Sequence, residues 1–476
     1  MRRPEKMRRV AVASLLVAVA FLPAPPALAH DLFTRPYLVM TDNPSCMRIH
    51  VQTDTHLHGG WIRWGYTCGS ELYLADMSED HQNIKNEEDS GTQSEDFIRW
   101  SGTICAQPGQ SIRYKVYLSE ELDHDDDKAV YAIENTFVMP LIPAAKHLTF
   151  FGYGDTRDCG SDFENVTKAL LSDLEDDSSA TQTLVLHSGD VVYNGGQTHY
   201  WYSDNAWMDY FKQYSNAEDL LGKVPVAVAM GNHDFSWEDH GDYPKYYYTD
   251  FPYPEYDDSI GQVPYIDDDG DFQAPWDDAM SDAYHSFDYG PIHVSVLNAY
   301  HSSELDDLGG CHMGSGLSPG HKQYDWLERD LAGTNKPWKL VLIHVAPLSC
   351  DCQIDDRRRP LEALAKEYGV DLIIAGHDHY YKQITNVENG IVHLVLGGGG
   401  AKLDPACTTD TTCRGCFFHF AKFQVRDDAR FSGEPRPTMP ASATQERGPL
   451  TTSSITAETR SDAPEIYLRI VVPPSS

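Results

Sequence analysis

The chain has 476 residues, 41% hydrophobic and 11% aromatic, which excludes a disordered protein and leaves room for more than one domain. Its formal net charge of −35 excludes a surface that attracts nucleic acid or anionic lipid. An anionic ligand would therefore need a locally positive site.

The first 29 residues read as a secretory leader. Arg2, Arg3, Lys6, Arg8 and Arg9 form a basic head, and residues 10–22 are apolar. Ala27-Leu28-Ala29 then offers small residues for cleavage, which predicts a secreted or periplasmic protein. The apolar run is short for a membrane span and ends in Pro23, Pro25 and Pro26, and no second stretch is long enough to cross a bilayer.

Residues 30–143 have strand character. Met47, Ile49 and Val51 alternate with Arg48, His50 and Gln52, and Ile112, Tyr114, Val116 and Leu118 alternate with polar neighbours. That is the period of half-buried strands, and it predicts an N-terminal β-sandwich of fibronectin III or immunoglobulin type. Residues 123–127 are an acidic run expected to be a solvated turn.

Past a Pro-rich linker the pattern becomes α/β over residues 144–426. Apolar strands are expected at 148–151, 184–186, 224–230, 292–297, 340–343, 372–374 and 392–396. One helix carries Val166, Leu170 and Leu174. Another opens at Pro360, buries Leu361, Leu364, Ala365 and Tyr368, and stops at Gly369. Residues 235–285 form an acidic, Tyr- and Pro-rich insertion, in which Asp267, Asp269 and Asp271 suit an acidic turn better than a calcium loop. Residues 427–476 read as a flexible tail with a possible added strand at 466–472.

The ten cysteines of an exported chain favour disulfides, with a pairing that spacing does not reveal. Cys350, Cys352, Cys407, Cys413 and Cys416 lack the tidy paired spacing of a zinc site.

Five apolar strands run into polar, metal-binding residue types. They lead to Gly154-Asp155, to Gly189-Asp190 with Tyr193 beyond it, to Gly231-Asn232-His233-Asp234, to His344, and to Gly376-His377-Asp378-His379. Strand ends in α/β sheets are where ligand sites assemble, and carboxylate, amide, imidazole and phenol are hard and borderline metal ligands. Each piece alone is weak, but five in this order point to a metal centre.

This order resembles that of the calcineurin-like metallophosphoesterases, and Tyr193 resembles the purple acid phosphatase branch. The stretches 285–290, 323–328 and 397–400 are similar to that family as well. The resemblance implies a metallophosphoesterase domain of two β-sheets sandwiched between helices, holding two metal ions. Asp155, Tyr193 and His379 would bind the first, Fe(3+). Asn232, His344 and His377 would bind the second, Fe, Zn or Mn, and Asp190 would bridge the two. The implied activity is hydrolysis of phosphate monoesters by attack of a metal-bound hydroxide, with a small phosphate ester as substrate. The alternatives are a phosphodiesterase or nucleotidase, or a non-catalytic extracellular binding protein.

His233 is the candidate for orienting substrate or protonating the leaving group, and Asp190 counts among the catalytic groups through its bridging role. Arg157 departs from the pattern: related phosphoesterases often carry a ligating histidine two residues after the first aspartate, and purple relatives a glycine. Arg157 would contact phosphate or pair with Asp158 or Asp162. The loop after His344 has no histidine, which leaves acid assistance to His233 or to one such as His240. Arg357, Arg358 and Arg359 read as a solvated helix start.

Overall fold

A computed structural model describes residues 32–41, 43, 45–86, 93–140, 147–157, 161–176, 184–193, 220–234, 284–300, 313, 315–351, 356, 358–386, 389–405, 415–426 and 465–473. The leader, most of the acidic insertion, His240, Asp158, Arg357 and residues 427–464 lie outside them.

The N-terminal part is a β-sandwich. Its strands are β1 (Leu32–Met40), β2 (Cys46–Thr53), β3 (Gly59–Tyr66), β4 (Tyr73–Asp76), β5 (Ser78–Asn86), β6 (Gln93–Cys105), β7 (Ser111–Ser119) and β8 (Tyr131–Val138). They form two antiparallel sheets, ordered β1-β2-β6-β5 and β4-β3-β7-β8. Met47, Ile49 and Val51 meet Ile112, Tyr114, Val116 and Leu118 in one core, as their alternation predicts. The opposite face of β2 is not solvated: His50 and Gln52 are buried as well. Tyr37 stacks on His50, and its own cluster includes Leu220 and Leu221 of the following domain, so that side of the strand is covered too. Cys46 and Cys105 face each other across β2 and β6 and form a disulfide. Cys350 and Cys416 are disulfide-bonded, whereas Cys68 is free and exposed. The acidic run at 123–127 is tied down, with Lys128 pairing with Glu121 and Asp123.

The remaining strands are β9 (His147–Tyr153), β10 (Val185–His187), β11 (Val226–Val228), β12 (His285–Tyr289), β13 (Ile292–Val296), β14 (Trp338–Val345), β15 (Leu372–Gly376), β16 (Tyr381–Thr385), β17 (Val392–Leu396), β18 (Phe420–Arg426) and β19 (Glu465–Val471). They build a five-stranded sheet, β11-β10-β9-β18-β19, and a six-stranded sheet, β12-β13-β14-β15-β17-β16. Strands β9, β10 and β11 run parallel, as do β13, β14, β15 and β17. The helices are α1 (Ser161–Asp176), α2 (Leu220–Lys223), α3 (Lys322–Gly333) and α4 (Arg359–Glu367).

Alternation along the strands shows how the layers stack. Phe150, Leu186, Leu340, Leu342, Ile374, Leu394 and Phe423 share one core. Their neighbours Phe151, Val185, Val341, Ile343, Ile373 and Val395 join Phe163, Val166, Leu170, Leu327, Leu361 and Leu364 of the helices in another. Both faces of each parallel strand are thus buried, which is why these strands read as continuous apolar runs. The architecture is two sheets between helices, as expected. Helix α4 ends as predicted, with Gly369 at φ 68. Its entry differs: Arg358 is buried, while Arg359 pairs at the surface with Asp356. Tyr114 of β7 donates a hydrogen bond to the Gly222 carbonyl of α2, joining the sandwich to this domain.

Candidate metal centre

The parallel strands deliver their C-terminal ends to one place. Asp155 follows β9, Asp190 follows β10, Asn232 follows β11, His344 is the second-to-last residue of β14, and His377 and His379 follow β15. Backbone bonds cross between them. The His377 amide donates to the Asp155 carboxylate at 3.0 and 3.1 Å, and the His233 amide donates to Asp190 Oδ1 at 2.9 Å.

The sharp turns are made by the candidate ligands themselves. Asp155, Asp190 and His377 have φ of 58, 54 and 67°. Non-glycine residues hold this left-handed conformation at a cost of about 1–3 kcal/mol each, and they concentrate at functional sites. Gly189 shares the positive-φ region at 99°, whereas Gly231 and Gly376 serve as clearance. A Cβ on Gly231 would stand 2.3 Å from Asp190 Oδ1, and one on Gly376 would stand 2.3 Å from Asp155 Oδ2.

Buried Asp155, Asp190 and His344 bring one potential ligand atom each within 4.8 Å of one another. His344 Nδ1 donates to the Ser188 carbonyl at 2.7 Å, which turns Nε2 inward, 3.2 Å from Asp190 Oδ1 and 3.1 Å from Asn232 Oδ1. His377 Nδ1 lies 3.0 Å from the same amide oxygen. Donor atoms about 3 Å apart are what a shared cation requires when metal–ligand bonds are near 2.1 Å. On the other side, His379 Nε2 is 3.4 Å from Asp155 Oδ1. The donor set fits a metal ion at Asp190, Asn232, His344 and His377.

The electrostatics agree. Burial opposes charge on His344, yet Asp190 and Asp155 outweigh it and push the imidazole up to about 9. Burial likewise works against ionised Asp190, but His344, His233 and Arg157 hold its carboxyl well below the usual range. Two buried carboxylates thus demand positive charge beside them. His377 is lowered by burial and by its neighbour His344, which favours the neutral ring with one nitrogen lone pair that a metal would need.

Arg157 and His233 sit against the other side of Asp190. Arg157 Nε is 3.3 Å from Asp190 Oδ2, an ion pair without hydrogen-bond alignment. Its terminal nitrogens lie 2.7 Å from His233 Nε2 and 3.3 Å from His379 Nε2. Of the partners weighed from sequence, Asp158 lies outside the described residues; the carboxylate that Arg157 meets is Asp190. His233 Nδ1 donates to the Tyr193 carbonyl at 2.7 Å, so its Nε2 is the acceptor facing Arg157. Burial, reinforced by Arg157, lowers the His233 pKa even though Asp190 opposes the shift. Tyr193 is 42% exposed. Its ring lies 5.4 Å from that of His233 and 5.8 Å from the Arg157 guanidinium carbon.

Two supporting residues escaped the sequence reading. Asp234 is fully buried and accepts from the amides of Gly231, Asp190 and Val191, at 2.7, 3.0 and 2.7 Å. It pins the strained turn that carries Asp190, and its place in Gly-Asn-His-Asp was the available signal. Tyr300 is buried and donates to Asn232 Oδ1 at 3.1 Å, which orients that amide. Nothing local in sequence marks it, because the contact spans 68 residues.

Comparison with known proteins settles the kind of domain. The model of the calcineurin-like phosphoesterase family matches residues 148–381. The chain carries a calcineurin-like phosphoesterase domain. Purple acid phosphatase 23 of Arabidopsis thaliana is 28% identical to it over 196 residues, 38% of this chain and 36% of that protein. Probable inactive purple acid phosphatase 1 of the same plant is 26% identical over 267 residues, 50% of this chain and 37% of that protein. The matches thus span little more than a third of those relatives' length. The structure of purple acid phosphatase PPD1 from yellow lupin seeds superposes with a TM-score of 0.56 at 20% identity, covering 82% of this chain and 69% of that one. The phosphoesterase domain therefore sits in a fold shared with a purple acid phosphatase.

Proposed function

We propose that this protein is an exported, metal-dependent phosphatase that hydrolyses phosphate monoesters at the Asp155–Asp190–His344 centre. The observation that carries the proposal is the meeting of Asp190, Asn232, His344 and His377 at donor spacings of 3.0–3.2 Å, on strand ends of a phosphoesterase domain. Export is supported by the leader pattern and by the disulfide between Cys46 and Cys105.

A metal ion bound there supplies Lewis acidity toward a phosphoryl oxygen and toward water. The protein's own groups do the rest. Asp190 divides its oxygens, one toward His344 and one toward Arg157. Positive charge can therefore stand on both sides of it. A two-metal arrangement, with Fe(3+) at Asp155, Tyr193 and His379, is the family form of this charge pair. Arg157 offers N–H donors to a phosphate dianion, and His233 holds it in place. Phosphoryl transfer needs little else from a protein beyond position and charge.

The test is hydrolysis of an aryl phosphate and a bis-aryl phosphate by metal-replete full-length protein. We expect monoester hydrolysis that chelation abolishes and metal restores. A preference for the diester would replace this reading with a phosphodiesterase or nucleotidase. Metal binding without hydrolysis of either would replace it with a non-catalytic protein. In His344→Ala the monoesterase rate should fall about a thousandfold or more.

A further inference from the structure

We propose that Arg157 takes the place of one of the two cations of this centre, which then works with a single metal held by Asp190, Asn232, His344 and His377. The inference rests on the phosphoesterase reading and refines its metal count.

Three contacts carry it. First, Arg157 reaches Asp190 Oδ2 at 3.3 Å, while Asp190 Oδ1 faces His344 at 3.2 Å. The carboxylate expected to bridge two metals instead bridges a metal-binding imidazole and a guanidinium. Second, Arg157 stands 3.3 Å from His379 Nε2, the nitrogen that faces Asp155 Oδ1 at 3.4 Å. The guanidinium thus occupies the side of the ring from which a metal on the Asp155 side would approach. Third, Tyr193 lays its ring beside the Arg157 guanidinium carbon at 5.8 Å. An aromatic face beside a cation is a stable arrangement in its own right and needs no ferric partner.

Burial strengthens the argument. The Arg157 side chain is 18% exposed and that of Asp190 1%, so little water screens the charge. Arginine does not deprotonate in proteins, so the group cannot yield its charge to an arriving metal. A second metal on the Asp155 side would meet a fixed cation already facing two of its ligands. The guanidinium also offers planar N–H donors suited to phosphate oxygens, so it can neutralise substrate charge much as a metal would.

The experiment reconstitutes the full chain with excess Zn2+, and separately with iron, followed by gel filtration. Metal content by mass spectrometry, the visible spectrum and aryl phosphate hydrolysis are read on the same samples. We expect about one metal per chain, no visible phenolate-to-iron band, and activity. In Arg157→Gly, and in Arg157→Gln should the glycine variant fail to fold, metal content should rise to about two per chain, whereas Arg157→Lys should stay at about one. Wild-type protein with two metals and a visible band overturns the inference and leaves a two-metal phosphatase standing. So does an Arg157→Gly or Arg157→Gln variant that folds and still binds one. Absence of hydrolysis at any metal content defeats the phosphoesterase reading instead.

Discussion

Asp155, Asp190 and His377 hold φ values that only a tightly braced backbone sustains. For Asp190 the brace is Asp234, whose carboxylate gathers amides from both sides of the turn. Asp234→Ala would leave those buried N–H groups without a partner. It should cost about 3 kcal/mol in urea unfolding and weaken metal binding about 10–100-fold in calorimetric titration, while Asp234→Asn recovers part of both. A second buried group, outside the candidate centre, supplies a pH test. His293 lies 2.9 Å from both Asp288 and Asp330; burial works against its protonation, but the two carboxylates raise it to about 9. Its folded value exceeds its unfolded one, so the stabilisation is complete below about pH 6.5 and is lost as pH rises through 9. Melting temperature should fall across that window in wild-type protein, by an amount equivalent to about 2–3 kcal/mol, and His293→Gln should flatten the decline. The candidate ligands were legible in sequence because glycine and metal-binding side chain types recur at apolar strand ends. Asp234 and Tyr300 were not given roles, since bracing depends on what lies opposite a side chain in space.

At the scale of elements, strands were easier to read than their ends. Strand 224–230 is only Val226–Val228, because its last residues already turn toward Asn232. The expected strand at 466–472 exists as β19 and pairs with β18 over seven register positions. Strand β18 was not expected from the sequence, although it is an interior strand of its sheet, between β9 and the edge strand β19. Ile470 and Leu468 are buried in the shared core. Ile470→Ala should therefore cost about 2–5 kcal/mol in chemical denaturation, and deleting residues 465–476 should destabilise the phosphoesterase domain and expose the β18 edge. Little change on either substitution or deletion would mean that β19 adds nothing. The disulfide closes a separation of 59 residues within the sandwich, and Cys46→Ala with Cys105→Ala should cost about 4 kcal/mol.

The whole molecule is strongly acidic, yet the proposed substrate is an anion. Arg157, with a metal at the proposed centre, would create a positive focus inside a negative field. Rising ionic strength should screen that field and lower KM for an aryl phosphate severalfold at constant kcat. A KM that rises with salt would mean that the local cations dominate capture. No helix among the described residues is long and apolar enough to cross a membrane.

Residue order alone determined the succession of a β-sandwich and an α/β domain, and it named the strand ends that meet at the candidate centre. It could do so because side-chain period and strand-end chemistry are local properties written in neighbouring residues. Only the tertiary structure decided that the polar face of β2 is covered, that Asp234 and Tyr300 brace the centre, and that Arg157 turns to Asp190, His233 and His379. The contacts of Arg157 join residues 33 to 222 positions apart, and chain closure, not local pattern, brings such pairs together.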